Sequence, residues 1–287
     1  MIAGPGELLR RHGLAARKQW GQNFLHDPRI LSAIVQAARV GPEDRVVEIG
    51  AGLGTLTAQL LATGAEVWAI ERDRDMCHVL RAELGQVERF RLWEADAVRF
   101  DYAEAGRVDR TPEQPKPVIV GNLPYHLTAP LLFALLAHHE STGAWVVMVQ
   151  KEVADRMCAP PGNKTYGGMT VVLSRQRAIR RVISVPPGAF IPPPRVESAV
   201  VRLEPREQPR AEVSDPEAFS QLVRTAFSQR RKTLVNALAP LAGKPAAERW
   251  CKSVGIDPGV RPERLSVEEF GALARARELD PGEPSDA

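Results

Sequence analysis

Between residues 30 and 150 the chain alternates two kinds of apolar spacing. Short, nearly unbroken apolar runs at 45–49, 66–70, 90–93, 118–120 and 145–150 predict strands. Between them, 30–38, 56–62, 76–84 and 130–137 repeat apolar residues with helical spacing and predict helices. This alternation implies right-handed crossovers and a parallel sheet covered on both faces. After Gln150 the rhythm changes. Two further strands are predicted at 182–185 and 199–203, joined by the proline-rich run PPGAFIPPPR rather than by a helix. Such a pair adds antiparallel strands at one edge of the sheet. A polar, proline-bearing linker follows at 204–216, and from Glu217 the pattern is helical, with breaks at 243–245 and 255–259. The run DPGEPSDA at the end reads as disordered. Three parts are therefore expected: a basic segment at 1–28, an α/β domain at 29–205, and a helical domain at 206–287.

Composition narrows the classes. A chain of 287 residues with 44% hydrophobic content can build one large core and a smaller one. The net charge of +3 is too small to name a partner, so the distribution of charge must decide. Cys77, Cys158 and Cys251 lie far apart and form no CxxC pair, which argues against a disulfide framework or a zinc site; no metal is expected. No apolar run approaches the roughly 20 residues a membrane span needs. The N-terminus lacks a signal-peptide pattern, so a cytoplasmic protein is expected.

The first predicted strand runs straight into GAGLGTLT, which sets Gly50, Gly52 and Gly54 between a strand and a helix. Glycines there permit a tight turn and a close approach of backbone to ligand. The spacing is GxGxG rather than the dinucleotide GxGxxG, and alone it is compatible with an ordinary strand-to-helix turn. Context adds to it. Glu71 closes the next strand in AIERD, roughly 20 residues on, placed to accept from ribose hydroxyls. Asp96 follows the third strand in EADA, where an acid can accept from an adenine amino group. Either acid alone could be a helix cap. Together with Glu48 they make an acidic rim, which suits the sulfonium and ammonium of S-adenosylmethionine (SAM) better than a pyrophosphate. NAD remains the alternative on these grounds.

After the fourth strand comes GNLPY. An exocyclic purine amine is a poor nucleophile, because its lone pair is delocalised into the ring. The Asn122 amide oxygen and the Leu123 or Pro124 carbonyl could both accept from its N–H groups and turn the lone pair toward a methyl donor. Proline constrains that turn, and Tyr125 could stack on a flipped or single-stranded base. Phe190, within PPGAFIPPPR, is a candidate for the second face of the base, or else a core aromatic held by prolines.

Charge is segregated. Residues 156–196 hold no acid but carry Arg156, Lys164, Arg175, Arg177, Arg180, Arg181 and Arg195. Residues 218–247 likewise hold no acid, but carry Arg224, Arg230, Arg231, Lys232 and Lys244. This is the pattern expected for contact with a phosphate backbone. Arg224 and Arg231 would share a face if their helix were continuous, although SQRRK could break it.

The runs KQWGQNFL, VVEIGAGLGTLT, AIERD, GNLPY, QKEVADRMCAPPGNKTYG, VPPGAFIPPPRVESAVVRL and AFSQRRKTLVNAL together closely resemble the KsgA/RsmA ribosomal RNA adenine N6,N6-dimethyltransferases, from about residue 18 to about residue 270. The resemblance implies a Rossmann-like SAM-dependent methyltransferase with a seven-stranded, mostly parallel sheet and a small all-helical C-terminal domain. It implies dimethylation of two adjacent adenines in a hairpin near the 3′ end of 16S rRNA, in the assembling small subunit, by a monomer. By family position, Asn23 and Leu25 join Gly50, Glu71, Asp96 and Asn122 at the cofactor. A 23S rRNA adenine methyltransferase of the macrolide-resistance type would share fold and site, but QKEVADR and PPGNKTYGG look like the small-subunit group. A non-catalytic RNA-binding relative is disfavoured by the intact GNLPY and acidic rim.

Overall fold

The computed structural model describes residues 2–17, 21–111, 113–229 and 231–281. The expected disordered tail lies outside them from residue 282 on, and so does Arg230. Backbone contacts divide the chain into two compact units. One runs to Ala154 and resumes over Ile179–Pro205; the other comprises Asp155–Ala178 and the residues from Arg206 on.

The first unit contains α1 (Pro5–Arg11), β1 (Phe24–Leu25), α2 (Pro28–Ala38), β2 (Arg45–Ile49), α3 (Thr55–Leu61), β3 (Glu66–Glu71), α4 (Arg74–Leu84), β4 (Phe90–Glu94), α5 (Glu104–Arg107), β5 (Val118–Asn122), α6 (Thr128–Ala137) and β6 (Trp145–Gln150). The helix α7 (Lys151–Met157) crosses the boundary, and α8 (Gly168–Gln176) lies in the second unit. The chain then returns through β7 (Arg177–Val185), β8 (Phe190–Ile191) and β9 (Ser198–Pro205). It ends in α9 (Pro216–Ser228), α10 (Leu234–Ser253) and α11 (Val267–Leu279).

The seven-stranded sheet has the order β4-β3-β2-β5-β6-β9-β7. The five strands from β4 to β6 are parallel, and β9 runs antiparallel to β6. Every residue of β2 is buried, as expected for a central parallel strand covered on both faces. One cluster joins Ile30, Leu31 and Ile34 of α2 and Leu56 and Leu60 of α3 to Val46, Val67, Val120, Val146 and Val200 of the sheet. Strand order reverses at β2, which pairs with both β3 and β5. A crevice therefore opens at the carboxyl ends of β2 and β5, where doubly wound sheets bind ligands.

Where sequence and structure differ, the cause is local. Helix α2 starts at Pro28, because Asp27 caps it by accepting from the Arg29 N–H at 2.9 Å, and a polar cap is invisible to an apolar stripe. Strand β7 begins five residues before the expected 182–185 run. Its first half includes the exposed Arg180 and Arg181, and cations on a terminal strand discourage pairing with other chains. The polar connection at 104–116 is anchored by buried Arg45, whose guanidinium donates to the Ala105 and Val108 carbonyls at 2.7 and 2.6 Å.

The expected domain boundaries need one correction. Residues 155–178 group with the helical unit rather than with the α/β unit, because α8 turns its buried face to α9 and α11. Within that unit the Arg206 N–H donates to the Gln176 carbonyl and Arg210 pairs with Glu268. The rings of Tyr166, Phe227 and Phe270 pack in sequence, the first pair edge-to-face and the second tilted, with centroids 6.0 and 5.7 Å apart. Helix α10 is broken at Ala242 and Gly243, the latter at φ +78°, where the sequence predicts a break.

Candidate active site

A cavity of about 380 Å³ opens at the carboxyl rim of the first unit. Its floor is the turn after β2. Gly50 and Gly52 there adopt φ of +70° and +55°, which side chains resist, and a Cβ on Gly52 would meet the Phe24 ring at 3.3 Å. Gly54 behaves differently: it caps α3 behind the turn, does not line the cavity, and leaves room for Leu80, which a Cβ would meet at 2.9 Å.

Glu71 closes β3 and faces the turn. One carboxylate oxygen accepts from the Gly52 N–H at 2.9 Å, and the other from the Arg72 and Asp73 N–H groups at 2.7 and 2.8 Å. These bonds hold the carboxylate in place, and its remaining lone pairs can take ribose hydroxyls. Burial pushes its pKa above the usual carboxylate value, and the three amide hydrogen bonds oppose that shift. Glu48 lies deeper, 1% exposed, and its Oε2 has no hydrogen-bond partner. Burial pushes its carboxyl up to about 7; nearby Thr57 opposes the shift and the charge of Glu71 adds to it. The buried Thr57 hydroxyl, like Glu48 Oε2, has no hydrogen-bond partner.

The far wall is the GNLPY turn. Asn122 is the last residue of β5, and its amide nitrogen donates to the Asn23 carbonyl at 3.3 Å. Leu123 lines the cavity, though almost wholly buried, and its N–H donates to the Met148 carbonyl at 3.0 Å. Of the two candidate carbonyls, that of Pro124 is already engaged by the Leu127 N–H and the Thr128 hydroxyl. The Leu123 carbonyl accepts from no group among the described residues. The Tyr125 hydroxyl bonds to buried Ser198 Oγ at 2.8 Å, which fixes the ring at the cavity mouth; burial pushes the pKa of its hydroxyl up.

The N-terminal segment supplies the remaining wall, as the resemblance implies for Asn23 and Leu25. Strand β1 pairs antiparallel with β8, Leu25 opposite Phe190, and the Thr55 hydroxyl donates to the Leu25 carbonyl at 3.1 Å. Gln22, Asp73 and Met76 also line the cavity and escaped the sequence reading. Asp73 carried a signal: it follows AIER at the spacing of a helix cap, and it does cap α4 through the Asp75 N–H. Gln22 joins it, donating to its carboxylate at 2.7 Å.

Two expected residues lie elsewhere. Asp96 is outside the cavity lining; its carboxylate accepts from the Val98 N–H at 3.0 Å and faces the exposed Arg72 at 3.5 Å. Phe190 is 2% exposed and packs in the cluster with Ile30, Ile34 and Val200, so it is a core aromatic and not a face of a base sandwich. Pairing with β1 turns Phe190 inward and Ile191 outward.

In the second unit α9 ends at Ser228, so Arg224 and Arg231 are not on one helix. Arg224 is held by Glu217 of its own helix. Arg231 and Lys232 are exposed. Of the cations at 156–196, Arg175 and Arg177 are buried and contribute no surface charge.

The cavity can hold SAM. It offers the carboxyls of Glu48, Glu71 and Asp73 to a cationic ligand, with one orphaned buried oxygen among them, and Leu53 and Met76 as apolar wall. Among the described residues no cluster of His, Cys, Asp and Glu could hold a metal ion, and no helix is long and apolar enough to cross a membrane.

Sheet order, glycine turn and acid-lined crevice together define a Rossmann-like methyltransferase. The family model for ribosomal RNA adenine dimethylase matches residues 13–276, and the chain belongs to that family, whose methyl donor is SAM. Curated relatives named ribosomal RNA small subunit methyltransferase A include that of Anaeromyxobacter sp. (strain K), 48% identical over 94% of this chain and 96% of the relative. The relative of that name from Myxococcus xanthus (strain DK1622) is 41% identical, over 96% and 95%. Among solved structures, a dimethyladenosine transferase from Plasmodium falciparum superposes with a TM-score of 0.71 at 28% identity, covering 89% of this chain and 98% of that one. The 23S rRNA methyltransferase ErmE, at 23% identity and a TM-score of 0.65 over 89% and 100%, shares the fold.

Proposed function

We propose that the protein dimethylates the N6 amino groups of two adjacent adenines in a hairpin near the 3′ end of 16S rRNA, acting as a cytoplasmic monomer on the assembling small subunit. The observation that carries this is the Asn122 amide, held by Asn23 at the mouth of an acid-lined cavity. Anchoring the nitrogen leaves the amide oxygen as an acceptor for one N–H of the target amine. The Leu123 carbonyl is the acceptor for the other. Two acceptors draw the nitrogen toward tetrahedral geometry and aim its lone pair at the donor. Tyr125, fixed by Ser198, provides a face for the flipped base. Bound SAM supplies an electrophilic methyl group. Glu71 orients its ribose, while Glu48 and Asp73 complement its positive charge. Asp96, which follows β4 and faces the exposed Arg72 at 3.5 Å, is assigned to the adenine amino group of the donor. No dedicated base is needed, since a methylated ammonium loses its proton to water. Rate comes from positioning and electrostatics.

In this reading the N-terminal segment belongs to the cofactor site and the helical unit, with Arg231, Lys232 and the undescribed Arg230, contacts rRNA phosphates. The test is incubation with labelled SAM and undermethylated small subunits, followed by mapping of modified nucleotides by mass spectrometry. Label in the paired adenines is expected. Label only in large-subunit RNA would overturn the substrate.

A further inference from the structure

The turn joining β8 to β9 plays no part in the chemistry above, yet its construction is unusual. Four large apolar side chains are exposed among the described residues, and two of them, Ile191 at 38% and Val196 at 44%, stand at its two ends. Between them lie Pro192, Pro193, Pro194 and Arg195. Three successive prolines fix φ and offer no N–H, so little conformational freedom remains to be lost on binding. Both ends are tied to the wall of the cavity. Ile191 pairs with Phe24, and its neighbour Phe190 with Leu25. At the other end Ser198 bonds to Tyr125, and the Glu197 carbonyl accepts from the Lys151 N–H at 2.9 Å. Ser198 lies opposite Gln150, the last residue of β6, so the turn sits on the rim that carries Asn122. Arg195 is exposed, and its guanidinium has no partner among the described residues.

We propose that residues 191–196 form a docking surface for the RNA nucleotide next to the acceptor adenine, with Ile191 and Val196 packing on its base or ribose and Arg195 taking its phosphate. The proposal rests on the reading of the cavity as an RNA adenine site. Three observations favour this occupant. The surface is continuous with the cavity mouth, where a flipped adenine would draw its neighbours across the rim. It carries a cation, Arg195, and no acid from 191 to 196. It is also small. Two aliphatic side chains match the face of one unstacked nucleotide, whereas a stable protein partner needs about 800 Å² on each side. Aliphatic and proline surface accepts any base, and the phosphate contact sets position without reading sequence.

The test uses the full-length enzyme with undermethylated small subunits. A paired Ile191→Ser and Val196→Ser variant, and separately Arg195→Gln, should raise KM for the subunit about fivefold to tenfold, with kcat and SAM affinity within about twofold. A photo-crosslinking residue at position 196, which is exposed and leaves the core intact, should map to the strand holding the methylated adenines. If the wild type methylates adenine while KM is unchanged in both variants, or the crosslink falls on protein or on distant RNA, this surface is refuted and the proposed function stands. If the wild type labels no adenine, the proposed function falls and this inference falls with it.

Discussion

The side-chain nitrogen of Asn122 donates to the backbone carbonyl of Asn23 at 3.3 Å, joining two residues 99 positions apart. That bond sets which end of the amide faces the cavity. Asn122→Ala should lower turnover by about 100-fold or more while SAM affinity changes little, because the lost interaction belongs to the reacting amine. Asn122→Asp tests the anchor: a carboxylate cannot donate to the Asn23 carbonyl and would be repelled by it. It should therefore be as inactive as the alanine variant, in single-turnover assays with calorimetric SAM binding as the control. Wild-type turnover in either variant would remove Asn122 from the reaction.

Glu71 accepts from three backbone N–H groups, one of them on the glycine turn. Removing it would leave those donors unmet and loosen the turn, besides deleting the ribose acceptor. Glu71→Ala should weaken SAM binding by about 10- to 100-fold, measured by titration calorimetry. Glu71→Gln keeps one acceptor oxygen and should fall between the two.

Glu48 gives a pH dependence whose sign is determined. Its folded carboxyl titrates at about 7, against an ordinary value of 4.5. Between those values the folded protein holds a proton that the unfolded chain has lost. The stabilising contribution is therefore complete below the unfolded value and disappears as pH rises through about 7. Urea unfolding of the ligand-free protein should show this group losing its stabilising contribution between about pH 4.5 and about pH 7, and Glu48→Gln should flatten that slope. A cationic ligand reverses the preference, so SAM binding near neutral pH should release a proton in the wild type and not in the variant. Calorimetry in buffers of different ionisation enthalpy reads that proton directly.

The parts of this fold written in repeating apolar spacing were legible. Strands β2, β3 and β5 and the glycine turn follow from it, and Asn122 falls where a fourth strand must end. What was not legible depends on pairing between distant segments. Strands β1 and β8 have two residues each, too few to show a period, yet they place Leu25 at the cavity and turn Phe190 into the core. Asp96 shows another limit: an acid after a strand reads alike whether it faces a ligand or caps the next turn, as this one does. Asn23 became understandable only through its carbonyl, which any residue could supply, so its side chain gave no clue to that role.

Charge placement requires the same care. Arg224 sits in an acid-free stretch of sequence, but Glu217 is one position outside that stretch and holds its guanidinium. Arg231 and Lys232 follow the end of α9, exposed. If these two contact rRNA phosphates, reversing both to glutamate should weaken subunit binding and reduce the slope of log affinity against log salt by about 1.4, since each contact with single-stranded nucleic acid contributes roughly 0.7. Arg224→Glu should change the slope less, because its charge is already offset. Binding measured across a salt series separates the two cases. An unchanged slope in the Arg231 and Lys232 variant would count against a phosphate role for the segment after α9. An equal loss in the Arg224 variant would show that its ion pair opens on the RNA.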